Sequence, residues 1–198
     1  EGNEASVSAP RRIVVYGPSG SGKSTLGREV AAARCVPFVE LDAIVHSRPD
    51  WNDIPVEQFR ERLRRALDEA VDGWVADGNY HSMVGDVLLP RAELAVWLRL
   101  PFRVVYPRLV RRTFRRMATN EVLWGVNRES FRKGFLSRES ILLWGITNWR
   151  RHRTSTRAQL RAAKAAGARV VVLKSPDEVA RWRDEMVATD PAGKHRSS

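Results

Sequence analysis

Cysteine is nearly absent. The single one, Cys35, cannot form an internal disulfide, and no cluster of metal-ligand type surrounds it. A disulfide-built secreted scaffold is thereby excluded, and a reducing cytoplasm is the expected setting. Long apolar runs are missing as well: the longest, residues 141–149, falls well short of the roughly 20 residues of a membrane span, and residues 1–10 hold no secretory apolar core. Lysine is confined to positions 23, 133, 164, 174 and 194 although the net charge is +11, so arginine carries the positive balance. Arginine suits sites that grip several phosphates with forked, permanently charged donors, and such a balance also attracts nucleic acid. Many of these arginines simply solvate helix faces. The chain has no internal repeat and no helix-turn-helix or other base-reading motif.

What is present is organised around one stretch. Gly17-Pro18-Ser19-Gly20-Ser21-Gly22-Lys23-Ser24, with Thr25 behind it, meets the phosphate-loop pattern G-x-x-x-x-G-K-[ST] at every specified position and follows the apolar run Ile13-Val14-Val15-Tyr16. The glycines let successive backbone N–H groups turn inward around a phosphate. Lys23 adds a point charge at the β/γ-phosphates, and the Ser24 hydroxyl is placed to ligate Mg²⁺. Leu26, Val30 and Ala33 recur at helical spacing, which completes the strand-loop-helix context that the motif requires. The loop identifies a site for nucleotide phosphates and not a reaction, because kinases, GTPases, motors and transporters share it.

A chain of 198 residues suits one domain with an inserted lid. Residues 1–10 and 188–198 read as disordered tails. Residues 36–41 read as a second strand that ends at Asp42, and residues 43–54, with His46 and Arg48, as a loop or small cap. Val56, Phe59, Leu63, Leu67 and Ala70 form the apolar stripe of a helix. Trp74-Val75-Ala76-Asp77 is a strand closed by a carboxylate, with Gly78-Asn79-Tyr80 as a turn. Asp77 has two readings here, a Mg²⁺-organising carboxylate or a turn-forming Asp-Gly. Residues 94–98 are another strand. Pro101 opens a basic helix with Arg103, Arg108, Arg111, Arg112, Arg115 and Arg116, in which Arg108, Arg112 and Arg115 or Arg116 share a face.

Periodicity weakens over residues 117–137, the expected mobile lid. Ser140 is placed to cap a helix from Ile141, followed by Arg150, Arg151, Arg153 and Arg157. Its Trp144 and Trp149 read as core, with single-stranded nucleic acid as the competing use. A strand over residues 168–173 and a helix over residues 178–187 close the chain. Five apolar runs alternating with helices predict a doubly wound α/β domain with a parallel sheet over residues 11–187. Ligands of such a sheet sit at the carboxyl ends of its strands, which gathers the phosphate loop, Asp42 and Asp77 on one edge.

In these residues the chain resembles the adenylate kinase-like P-loop kinases and, among them, the bacterial DNA topology modulation proteins. The resemblance rests on residues 17–25, Leu41-Asp42 with His46, Asp77-Gly78-Asn79-Tyr80, Trp97-Leu98 with Pro101, Arg108 and Arg112, and Asn127-Arg128-Glu129-Ser130. It implies a P-loop NTPase fold with five strands, a substrate-capping segment (residues 43–72), a short arginine-bearing lid, and transfer of the γ-phosphoryl of ATP, with Mg²⁺, to a small acceptor. Lys23, Asp42, Asp77, Arg108 and Arg112 are the candidate catalytic residues, and Asp42, His46, Arg48, Asn79 and Tyr80 the candidate acceptor contacts. Arg116, Arg128, Arg150 and Arg153 are further candidates for reaching the phosphates when the lid closes. True adenylate kinases carry an arginine shortly after the Asp-Gly, where this chain has Asn79, Tyr80 and His81. A hydroxyl acceptor beside Asp42 is therefore expected ahead of a nucleoside monophosphate. A nucleic-acid-associated ATPase using the Arg/Trp segment, and a P-loop module that senses ATP without chemistry, are the competing classes.

Overall fold

β-branched and aromatic runs supply the centre of the fold. In the computed structural model, which describes residues 9–48, 53–119, 122–123, 127–128 and 149–188, the strands are β1 (Arg12–Tyr16), β2 (Phe38–Glu40), β3 (Trp74–Asp77), β4 (Leu94–Leu98), the two-residue β5 (Val122–Leu123) and β6 (Asn127–Arg128), and β7 (Arg169–Leu173). Five of them form one parallel sheet in the order β2-β3-β1-β4-β7, while β5 and β6 pair antiparallel on their own. Ile13, Val14 and Val15 have no exposed surface, as a parallel strand covered on both faces requires. The expected doubly wound sheet is thus the observed one.

The helices are α1 (Lys23–Ala33), α2 (Leu41–Val45), α3 (Val56–Glu69), α4 (His81–Leu88), α5 (Phe102–Ala118), α6 (Trp149–Ala165) and α7 (Pro176–Ala188). α1 and α7 bury Leu26, Val30 and Met186 against one face of the sheet. α3, α4 and α6 bury Phe59, Leu63, Val84, Leu88 and Leu160 against the other. Because β1 leads to a helix on the first face and β3 to helices on the second, the crevice between the ends of β1 and β3 is the switch point where α/β sheets take ligands.

Three expectations need correction. The second strand stops at Glu40, not at Asp42: β2 pairs only with β3, its last partner is Asp77, and with nothing beyond to pair with the chain coils into α2. Residues 43–54 are accordingly not all loop. α4 was not expected, since its eight residues are too short and too interrupted by Gly85 and Asp86 to show a period. The basic helix runs to Ala118, into the segment assigned to the lid, of which only Val122–Leu123 and Asn127–Arg128 are otherwise described. The helix start at Ser140 and Ile141 lies outside the described residues, as do residues 1–8 and 189–198 of the expected tails.

One contact between the phosphate loop and α5 governs how the site is held. Gly20 has φ +88°, and a Cβ there would come 2.7 Å from the carbonyl oxygen of Val105 and 3.0 Å from the amide nitrogen of Leu109. The loop apex therefore rests directly on helix backbone. Gly20→Ala combines left-handed strain with a collision that no rotamer change relieves, and is expected to cost about 2 kcal/mol or more. Urea unfolding measures this; an unchanged midpoint would show that α5 does not back the loop.

Candidate functional site

The loop joins β1 to α1, and Gly22 stands at the helix N-cap with φ 90°, no side-chain cap and no acidic residue in the first turn. The first-turn N–H groups of α1 are thus left for an external anion. A turn from Ser21 N–H to Pro18 O (3.0 Å) shapes the bend before it. Lys23 opens the helix and is buried, at 7% exposure, while Thr25 is exposed.

Asp77, the last residue of β3, stands level with Val15 on β1 and Glu40 on β2 and has no exposed surface. Ser24 Oγ donates to Asp77 Oδ2 at 2.5 Å, whereas the buried Asp77 Oδ1 has no hydrogen-bond partner among the described residues. Burial pushes the Asp77 carboxyl up to about 6, against the lowering effects of the Lys23 charge and the Ser24 hydrogen bond. The side chain meets Ser24 of the phosphate loop, a placement the turn-forming reading does not require. Among the described residues no group of three or more His, Cys, Asp or Glu gathers as in a protein-built metal cage. A Ser–Asp pair with one uncommitted buried oxygen suits instead an ion held mainly by phosphate and water, as Mg²⁺ is.

Asp42, His46 and Tyr80 come together around the Tyr80 hydroxyl. The Tyr80 hydroxyl donates to Asp42 Oδ1 at 2.7 Å and lies 3.1 Å from His46 Nε2. His46 Nδ1 is 2.7 Å from Asp53 Oδ1. The turn of α2 sets the spacing, with His46 N–H donating to Asp42 O at 3.0 Å. The Phe59 ring fixes Tyr80 edge-on at 5.4 Å. Burial, then the Asp42 carboxylate, hold the Tyr80 phenol far above its ordinary range, so it remains a donor. Tyr80 occupies one Asp42 oxygen and leaves the other, which has no protein partner among the described residues.

Asn79 Nδ2 donates to Gly17 O at 2.8 Å and braces the phosphate loop, while its buried Oδ1 has no hydrogen-bond partner among the described residues. Arg48 is exposed and turned toward Gln58 of α3, with Nη2 to Oε1 at 3.5 Å. Along α5, Arg112 and Arg116 are half-buried while Arg108 and Arg115 are exposed, so the expected shared face splits in two. The side chains of Arg128 and Arg150 lie outside the described residues. Two features went unread. Glu40, level with Asp77 and paired with Arg28 at 2.6 Å, is the carboxylate that closes β2. Trp149 and His152 of α6 line a cavity against Pro18 and Ser19. The aromatic-arginine spacing was the available signal, but it reads equally as helix core.

A family model described as an AAA domain matches residues 13–186. Over 65 residues the chain is 38% identical to a shikimate kinase of Actinobacillus pleuropneumoniae serotype 5b, a match that covers 30% of this chain and 38% of that protein. Over 66 residues it is 41% identical to a shikimate kinase of Halorhodospira halophila, covering 30% and 37%. The matched stretch thus spans well under half the length of these relatives. A solved shikimate kinase from Bacteroides thetaiotaomicron superposes with a TM-score of 0.50 at 18% identity, over 90% of this chain and 99% of that one, which shows a common fold. The family match runs from β1 through the phosphate loop and Asp77 into α7, and with it the chain belongs to the AAA domain family and carries the P-loop kinase fold.

Proposed function

We propose that the protein is an ATP-dependent phosphotransferase that moves the γ-phosphoryl of ATP to a hydroxyl of a small molecule. The observation that carries this is the pairing of two sites across one turn: the Lys23–Ser24–Asp77 group at the loop, and Asp42 with one oxygen left by Tyr80. An ATP sensor needs the first and has no use for the second. The likeness to shikimate kinases over about 65 residues supports a small acceptor.

Ser24 and Asp77 would hold Mg²⁺, which when bound neutralises charge on the donor phosphates. The loop amides and Lys23 bind the β- and γ-phosphates, and Asp42 orients the acceptor hydroxyl. As the new O–P bond forms and the bond to ADP breaks, the hydroxyl proton passes to Asp42 or to water. The transition state is loose, so Asp42 acts chiefly by positioning. Arg112 and Arg116 are the α5 arginines best placed to approach the transferred group, being half-buried beside the helix face that supports the loop. A reducing cytoplasmic setting belongs to the same proposal; among the described residues no helix is long and apolar enough to cross a membrane.

Screening ATP with polyols, hydroxy acids, nucleosides and nucleoside monophosphates for ADP release tests the reading. Asp42→Asn is expected to lower turnover with the best acceptor by about ten- to a hundredfold while ATP affinity stays within about twofold. Nucleoside monophosphates as the best acceptors, or normal turnover by the variant, would sink it. A second reading, the nucleic-acid-associated ATPase suggested by the topology modulation resemblance, draws on α5 and α6, which contain no aspartate or glutamate. It requires binding that weakens steeply with salt.

A further inference from the structure

Tyr80 has one hydroxyl proton and two close neighbours able to take it, Asp42 Oδ1 at 2.7 Å and His46 Nε2 at 3.1 Å. The Asp42 contact must hold it. An ionised carboxylate only accepts, and two oxygens at that distance repel unless a proton lies between them. The His46 contact then needs its proton from the other side, so Nε2 donates to the phenol oxygen, which still has lone pairs to accept it. A bare Nε2 would instead compete with Asp42 for the one phenol proton.

Asp53 prepares the ring for this. Its Oδ1 stands 2.7 Å from His46 Nδ1, at ion-pair distance though outside hydrogen-bond geometry. Backbone builds the placement: Ile54 N–H donates to Val45 O at 3.0 Å, the buried Ile54 side chain anchors that return, and His46 N–H donates to Asp42 O. Carboxylate charge beside Nδ1 disfavours a lone pair there, and so favours a ring that keeps its Nδ1 proton while Nε2 donates. Burial and then Asp42 dominate the raising of the Tyr80 phenol, and the Asp53 charge adds to them across the ring. An ion pair that merely closes the loop accounts for Asp53 and Nδ1. It does not account for Nε2 ending on the phenol that holds Asp42.

We propose that His46 and Asp53 are positioning residues: His46 Nε2 donates to the Tyr80 oxygen, Asp53 keeps the ring in the state that does so, and the phenol proton is thereby committed to Asp42 Oδ1. This deepens the phosphotransferase reading and rests on it. A carboxylate bonded through one oxygen is hindered from rotating, so the second oxygen of Asp42 keeps one direction for the acceptor hydroxyl. With Tyr80 at one nitrogen and Asp53 at the other, His46 acts through Tyr80 and not on the acceptor.

Long-range proton–nitrogen spectra of the nitrogen-labelled full chain, free of ligand, read which ring nitrogens carry protons; Nε2 of His46 is expected to carry one. Turnover is read as ADP release from MgATP with whichever of glycerol, gluconate and adenosine reacts fastest. His46→Leu and Tyr80→Phe should each lower kcat about tenfold, with KM for ATP and for that acceptor within about threefold of wild type. His46→Gln, whose amide N–H reaches the place of Nε2, should recover most of the loss. Asp53→Asn should lower kcat about threefold, as fits an exposed charge. In a Tyr80→Phe background, His46→Leu and Asp53→Asn should cost nothing further, because the phenol through which they act is gone. Asp53 lies on the surface, so its variant carries the test if His46→Leu does not fold.

A bare Nε2, unchanged kcat in the single variants, or a glutamine variant no better than leucine would each overturn the proposal. So would losses that add in the double variants or fall on the acceptor KM, since His46 would then touch the acceptor itself. A protonated Nε2 without ADP release from any acceptor would uphold the hold on Asp42 and sink the phosphotransferase reading. ADP release equal in wild type and all variants would do the reverse.

Discussion

Asp77→Asn is expected to make the metal-free protein more stable while removing most of its Mg²⁺-dependent turnover. Burial raises the Asp77 carboxyl from 3.8 to about 6, so between those values the folded chain holds a proton that the unfolded chain has released. The stability this group contributes is full below about pH 4 and is lost as pH rises through about 6. The interval corresponds to at most ~3 kcal/mol at neutral pH. Asparagine keeps the shape, still accepts from Ser24 and carries no charge. In EDTA the variant should therefore unfold at higher urea than wild type at pH 7, and the advantage should shrink toward pH 5. Turnover should fall about ten- to a hundredfold. A variant less stable than wild type at pH 7 would show that the Asp77 charge is well satisfied without metal.

Lys23→Met should lower turnover about a hundred- to a thousandfold, because a positive charge aimed at the transferring phosphates is lost while the buried stem is kept. Methionine is the better probe than alanine for this reason: Lys23 is packed, and truncation would add a cavity to the loss of charge. A second effect follows from the link to Asp77, which Lys23 holds down. Without that charge the carboxylate is costlier to ionise, so Lys23→Met should destabilise the metal-free protein at pH 7, and should do so less in an Asp77→Asn background. Rates and urea melts of the two single variants and the double variant measure both parts. Unchanged ATP turnover in a folded Lys23→Met would refute the phosphate-site assignment, and additive stabilities would refute the coupling.

How much of this was legible in the sequence depended on the range of the interaction. β1, β3 and β4 are covered on both faces, and such strands write continuous apolar runs. Gly17 to Ser24 was legible because a motif of fixed spacing shapes its own backbone. The end of β2 was not, since it is set by where the register with β3 runs out at Asp77. Asp42 and Tyr80 were each singled out, yet their hydrogen bond spans 38 positions and no local pattern records it. The bond from Asn79 Nδ2 to the Gly17 carbonyl, 62 positions away, is equally absent from any local pattern.

Asn79 and Tyr80 are consecutive residues, one bonded to the phosphate loop and the other to Asp42. A single peptide unit therefore ties the phosphate loop to the Asp42 side chain, and that unit is planar and stiff. A shift of the Gly17 carbonyl would reach the Tyr80 phenol through Asn79 and one peptide unit. On the proposed reading, donor and acceptor share one rigid gauge, and filling either side sets the alignment the other needs.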